Sequence, residues 1–295
     1  MANPNKRLDL NVEGNFYVDA TCINCDTCRQ LAPRSFEEMG VFSVVRHQPD
    51  NEAQTHQAYQ AVLACPTGSI GTVHRDTSSM QRAKASFPIH IEDSVYYCGF
   101  NSEKSFGANS FAIRHPRGNW LVDSPRYLKH VIDMFERWGG LSKIFLTHED
   151  DVADAEKYAR HFGATRIIHA GDVEAMPDAE WVVDGTDTVD LDDGFQAIPV
   201  PGHTPGSMAL RYNTKFLFTG DHLWWNPQAH GLEAPQQRVW RAKVLTASIE
   251  KLRGYQFEWV LAGHGSRVRL PADEMGKQLG LLLDRRASMA SSLSR

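Results

Sequence analysis

Cysteine spacing constrains this chain more than any other feature. Of its five cysteines, three stand as Cys22-Ile-Asn-Cys25-Asp-Thr-Cys28, a C-x2-C-x2-C run, and a fourth arrives much later as Cys65-Pro66. The spacing that serves paired iron–sulfur clusters is C-x2-C-x2-C-x3-C-P, in which the last cysteine ligates the other cluster. Counted forward from Cys22, that pattern reaches Ala32-Pro33 where its fourth Cys-Pro should stand. Counted back from Cys65, it meets Ala61, Ala58 and Thr55. Each half has lost the ligands of one cluster. The survivors Cys22, Cys25, Cys28 and Cys65 therefore describe one site of four thiolates, suited to a single [4Fe–4S] cluster. Zinc prefers two separated cysteine pairs, which is another pattern; structural zinc and free thiols are the alternatives.

The stretch YVDATCINCDTC…ACPTGSI resembles the single-cluster bacterial ferredoxins over residues 15–73. The resemblance implies a βαββαβ, α+β module and one-electron transfer at low potential, although a cluster can also be structural or sense oxidants. Strands are expected at residues 16–19, 42–45 and 70–73, a helical turn near 29–31, and a helix at 52–63. The polar stretch RDTSSMQRAKAS, just before Phe87-Pro88, reads as a linker.

A length of 295 residues suits one small and one medium domain. The expected boundaries are a cluster module at 1–73, a linker at 74–88 and a second domain at 89–295. In that second domain, strand and helix patterns alternate, as in an α/β layered architecture. A net charge of −5 argues against a nucleic-acid or anionic-membrane partner. No apolar run is long enough to span a bilayer, and the start MANPNKRLDLN lacks the apolar core of a signal peptide. With four cysteines in ligand spacing and Cys98 alone, a reduced, cytoplasmic protein is the expectation.

Four segments of the second domain each end an expected strand with a ligand-type residue. They are Phe145-Leu-Thr-His148-Glu-Asp150, Pro201-Gly-His203-Thr-Pro-Gly206-Ser207, Phe218-Thr-Gly220-Asp221-His222 and Leu261-Ala-Gly263-His264-Gly265. A single strand-end histidine is usually structural; four such loops in this order are not. From residue 89 to 283 the chain resembles the metallo-β-lactamase-fold superfamily. That resemblance implies an αββα sandwich with metal at one edge of its two sheets, and hydrolases of that fold work through a metal-activated water.

The first motif departs from the family pattern H-x-H-x-D-H, for the chain reads His148-Glu149-Asp150-Asp151-Val152-Ala153. His148, Asp150, His203 and Asp221 remain for one metal. A second metal would keep only His264 and a shared Asp221, which is too few. One additional ion is therefore expected, and the carboxylate in place of an imidazole tilts it from zinc toward iron or manganese. Asp150 has an alternative use as the N-cap of the following helix, and helical phase puts Asp154 on the solvent side. Asp221 and His222 are the candidate catalytic pair, His222 as a replacement ligand or proton carrier. His169 is a further candidate near the site, Cys98 a buried thiol or a reactive one. The loop at 99–109 is expected to shape a substrate pocket, with Trp224 and Trp225 lining it or filling the core.

Three functions follow. One is a redox enzyme in which the cluster serves a mononuclear metal site; the second is a hydrolase of a thioester, lactone or phosphoester with a structural or regulatory cluster. The third is a non-catalytic electron-transfer or sensor protein. The expected partners are a small-molecule substrate and a protein donor or acceptor of electrons.

Overall fold

The structure, a computed structural model, describes residues 2–293, so the last two positions of the expected second domain lie outside the described residues. The chain divides into two compact units, Met1–Gly140 and Leu141–Arg295.

The first unit opens with β1 (Phe16–Val18), α1 (Thr27–Leu31), β2 (Phe36–Met39), β3 (Phe42–Val45), α2 (Glu52–Ala64) and β4 (Ile70–Thr72). This is the βαββαβ order expected. β1 pairs antiparallel with β4, and β2 with β3. Helix α2 starts where Asn51 accepts the Gln54 N–H at 3.0 Å, a side-chain N-cap. Phe16 packs edge-on against Tyr59 with ring centroids 5.0 Å apart. Ala58 and Ala61, at two positions where a second cluster's cysteines would stand, are wholly buried.

The stretch read as a linker is helix α3 (Thr77–Ala85). Asp76 caps it, accepting from the Ser79 N–H at 3.0 Å and the Ser79 hydroxyl at 2.6 Å. Its Ala83 is fully buried, and Gln60 of α2 donates to Ser86 at 2.8 Å. A few small residues on one face suffice to seat a helix that is polar elsewhere, which mean polarity does not reveal. An antiparallel meander follows, β5 (Ile89–Glu92), β6 (Val95–Tyr97), β7 (Phe111–Ile113) and β8 (Trp120–Val122), then α4 (Lys129–Arg137).

The second unit begins with three parallel strands, β9 (Lys143–Phe145), β10 (Thr165–His169) and β11 (Trp181–Val183), with α5 (Ala155–Phe162) between the first two. Strands β12 (Val189–Asp192), β13 (Phe195–Pro199), β14 (Met208–Tyr212) and β15 (Phe216–Gly220) follow as antiparallel neighbours. A short hairpin, β16 (Trp224–Asn226) with β17 (Gly231–Glu233), precedes α6 (Ala242–Leu252). Then come β18 (Trp259–Ala262), β19 (Val268–Arg269) and α7 (Ala272–Leu293). The order in this six-stranded sheet is β12-β13-β14-β15-β18-β19. Leu245, Ile249 and Leu252 of α6 and Met275 and Leu279 of α7 pack onto Ile198, Leu217 and Val260 of the sheet. Because β15 and β18 run parallel, with Gly220 opposite Ala262, their C-terminal ends place the next residues of each side by side. Among the described residues no helix is long and apolar enough to cross a membrane.

Arg166 on β10 donates from Nε and Nη2 to the Glu180 carboxylate at 3.1 and 2.7 Å. This guanidinium holds the Glu180 carboxyl down at about 2. A depressed carboxyl stabilises the fold above its unfolded pKa, and the contribution is lost as pH falls from about 4.3 toward 2. Glu180 is half exposed, so screening holds the pair to about 1 kcal/mol. Glu180→Gln should lower the thermal midpoint at pH 7, and the difference from the parent should vanish near pH 2, as followed by circular dichroism melts.

Candidate metal centres

Two separate donor clusters emerge, one in each unit. In the first unit Cys22, Cys25, Cys28 and Cys65 line one small pocket, walled by Val18, Ile23, Ser43 and Ile70. The loop after β1 brings Cys22 and Cys25, the first turn of α1 brings Cys28, and the C-cap of α2 brings Cys65. None of the four is in a disulfide. Burial pushes the Cys25 thiol up to about 12 and raises Cys28 as well. Only a bound cationic core would make such buried sulfurs thiolates. The Asn24 N–H donates to Cys22 Sγ at 3.4 Å and the Ser69 N–H to Cys65 Sγ at 3.3 Å. The donor set fits one four-iron cluster.

In the second unit, the segments after β9, β13, β15 and β18 converge. Nε2 of His148 lies 3.8 Å from Asp221 Oδ2, as does Nε2 of His203. Asp150 Oδ2 is 3.5 Å from His203 Nε2 and 3.8 Å from His148 Nε2. Two ligands about 2.1 Å from one ion at a tetrahedral angle stand roughly 3.4 Å apart, so these separations suit a shared cation. The buried Nε2 atoms of both histidines have no hydrogen-bond partner among the described residues. Thr147 Oγ1 meets the other nitrogen of His148 at 3.0 Å, which fixes the ring with Nε2 toward the site.

Electrostatics match. Burial opposes the charge on Asp221, yet His264, His148 and His203 hold its carboxyl well below the usual range. Burial also opposes a charged His203, but Asp150 and Asp221 outweigh it and raise its pKa. Burial pushes the His148 pKa down, which favours its neutral form.

Asp151, which the sequence did not single out, joins the two residues left for a second ion. Asp151, Asp221 and His264 form a second group whose donor atoms lie within 4.8 Å of one another. Asp151 is fully buried, with Oδ2 3.8 Å from His148 Nδ1. The short 3-10 turn Glu149–Asp151 places Asp150 on the His148–His203 side and Asp151 toward Asp221. A Cβ on Gly263 would stand 2.8 Å from Asp151 Oδ2 and 2.8 Å from Asp221 Oδ1, so this loop needs glycine to admit both carboxylates. Asp221 donates nothing; it accepts from His264 Nδ1 at 2.7 Å and belongs to both groups.

Other expectations fall out differently. Helix α5 begins only at Ala155, with Asp154 at its N-cap position, so Asp150 does not cap it. Asp154 is buried beside Lys157 at 3.0 Å rather than solvated, because the helix starts later than its phase suggested. His222 is sealed in the protein and belongs to neither donor group; burial, then His203 and Arg286, hold its pKa down at about 3. His169 serves the loops, with Nδ1 accepting the Gly171 N–H at 3.0 Å and Nε2 donating to Gly185 O at 2.8 Å. Cys98 is a buried thiol raised to about 12 by that burial. Trp224 lies over Gly265, while Trp225 packs on the α6–α7 core.

Asp172 was missed. It is buried and accepts from the Glu149 N–H at 3.0 Å, the Thr204 hydroxyl at 2.5 Å and the Gly206 N–H at 2.7 Å. One carboxylate thus ties the loop bearing His148 to the loop bearing His203.

A family model described as the metallo-beta-lactamase superfamily matches residues 88–280. The chain belongs to the metallo-beta-lactamase superfamily. A second model, the 4Fe-4S single cluster domain of Ferredoxin I, matches residues 18–72. Among solved structures, DIM-1 metallo-beta-lactamase is 15% identical with a TM-score of 0.52, over 66% of this chain and 95% of that one. VMB-1 is 16% identical with a TM-score of 0.50, over 68% and 96%. BJP-1, a subclass B3 enzyme of Bradyrhizobium japonicum, is 16% identical with a TM-score of 0.49, over 70% and 94%. No curated protein matches the chain. The α+β cluster module followed by the αββα metallo-β-lactamase fold is the fold class expected.

Proposed function

We propose that this protein is an iron–sulfur metalloenzyme in which the His/Asp centre carries out redox chemistry with electrons relayed by the cluster. The observation that carries this reading is Asp151. With it, the centre offers three carboxylates, Asp150, Asp151 and Asp221, against three imidazoles, His148, His203 and His264. So oxygen-rich a set favours iron or manganese over zinc. Such an ion supplies Lewis acidity and a change of oxidation state. The chain's own residues do the rest. Asp221 holds charge between the three histidines, Thr147 sets the His148 ring, and Asp172 keeps two ligand loops in register. Exposed Trp240, whose backbone N–H donates to His203 O at 2.8 Å, offers an aromatic surface to a small-molecule substrate. An electron donor or acceptor protein and a cytoplasmic setting complete the proposal.

A second reading, hydrolysis of a thioester, lactone or phosphoester, is favoured by Asp221 belonging to both donor groups, which suits a two-metal clamp on one substrate.

Anaerobic purification, metal and sulfide counts, and electron paramagnetic resonance with and without dithionite test the choice. Iron beyond the four of the cluster, with signals that respond to oxygen or nitric oxide, supports the redox enzyme. Zinc in the His/Asp centre with thioester turnover favours the hydrolase. Four irons, four sulfides and no other metal would sink both.

A further inference from the structure

The cluster module, matched by its family model only to residue 72, makes its wall against a later part of the same unit. Helix α2 ends beside the ligand Cys65, and its last carbonyls need donors from elsewhere. Arg126 Nη2 donates to Leu63 O at 2.8 Å, and the Asn101 N–H donates to Ala64 O at 3.1 Å. Arg126 is itself locked by its backbone N–H, which donates to Phe100 O at 2.9 Å. Asn101 Nδ2 adds bonds to Gly107 O at 2.7 Å and Thr27 Oγ1 at 3.1 Å, and Thr27 follows Cys25 by two residues. The loop expected to shape a substrate pocket is thus packed against the cysteines. The guanidinium lies close enough to Cys65 for the two to interact electrostatically.

We propose that Arg126 is a potential-setting residue: its fixed cation, brought to the Cys65 end of α2 from outside the ferredoxin module, favours the reduced cluster. Reduction adds one negative charge to a site of four thiolates, and a half-buried cation is screened less than a surface one. The reduced form gains more from that cation than the oxidised form does. The inference rests on the cluster being redox-active and is independent of which metal fills the His/Asp centre.

The test is a redox titration of the full chain, followed by electron paramagnetic resonance, for the parent, Arg126→Gln and Arg126→Lys, with iron and sulfide counted in each. Arg126→Gln should make reduction about tenfold less favourable, a fall of ~59 mV for one electron. Arg126→Lys, which keeps the charge but forms fewer of the bonds, should stay within about threefold of the parent. An unmoved potential in Arg126→Gln with full cluster content overturns the proposal. So does an equal shift in the lysine variant, which would assign the effect to hydrogen bonding. A parent cluster that dithionite cannot reduce overturns it too. Loss of iron and sulfide from Arg126→Gln would make the residue a support for assembly and would equally refute a tuning role.

Discussion

Asp221→Asn should strip the metal from the His/Asp centre and leave the cluster untouched. The carboxylate belongs to both donor groups, with Oδ2 3.8 Å from each of two imidazoles and Oδ1 2.7 Å from a third. Asparagine keeps the shape but offers a neutral oxygen where the centre has its shared negative charge. Loss of a supporting partner alone typically costs 10–100-fold in metal affinity, so loss of this shared ligand should cost at least about 100-fold. Elemental analysis after gel filtration should show the non-cluster metal gone, with four irons and four sulfides retained, and turnover on any substrate should fall with it. Full retention of the additional metal would refute the assignment. Asp151→Asn distinguishes one ion from two, since it removes a ligand from the second group alone.

What could be read in the sequence follows from how local each signal is. The cysteine motif names ligands by spacing, and the αL-prone loop around it needs no distant partner. The strand-end motifs are legible for the same reason: Gly-His-Thr-Pro-Gly and Thr-Gly-Asp each encode a sharp turn and a ligand-type residue together. Asp151 was hidden because family phase assigns ligands to alternate positions, whereas the 3-10 turn at Glu149–Asp151 sends two adjacent carboxylates to two sides of the centre. Its burial had no local signature. Asp172 was invisible for a different reason, since its partners are Glu149, Thr204 and Gly206, up to 34 residues away. Helix α3 was lost to its polarity, and β2 to its short Phe-Glu-Glu-Met sequence, which pairs only because β3 folds back on it.

A reciprocal experiment belongs to the cluster side, and Gly107→Ala should lower cluster occupancy by more than half while sparing the His/Asp centre. Gly107 has φ +88°, and a Cβ there would stand 2.7 Å from Cys25 Cβ, 2.8 Å from its Sγ and 3.0 Å from Pro66 Cγ. The backbone conformation alone costs an alanine about 1–2 kcal/mol. The contact matters more. Cys25 must retreat, and a metal site tolerates ligand displacements of only about 0.2 Å. Gly139→Ala separates the two effects, because Gly139 has φ +91° but nothing within 4 Å of its Cβ position. That control should lose stability in a thermal melt yet keep four irons and four sulfides per chain. Gly107→Ala should show fewer of both and faster bleaching by a chelator. Equal cluster loss in the two variants would mean that backbone strain, not the press of this loop on Cys25, governs retention. Full occupancy in Gly107→Ala would mean that the loop yields, and that the wall against the cluster is softer than its hydrogen bonds to Asn101 and Thr27 imply.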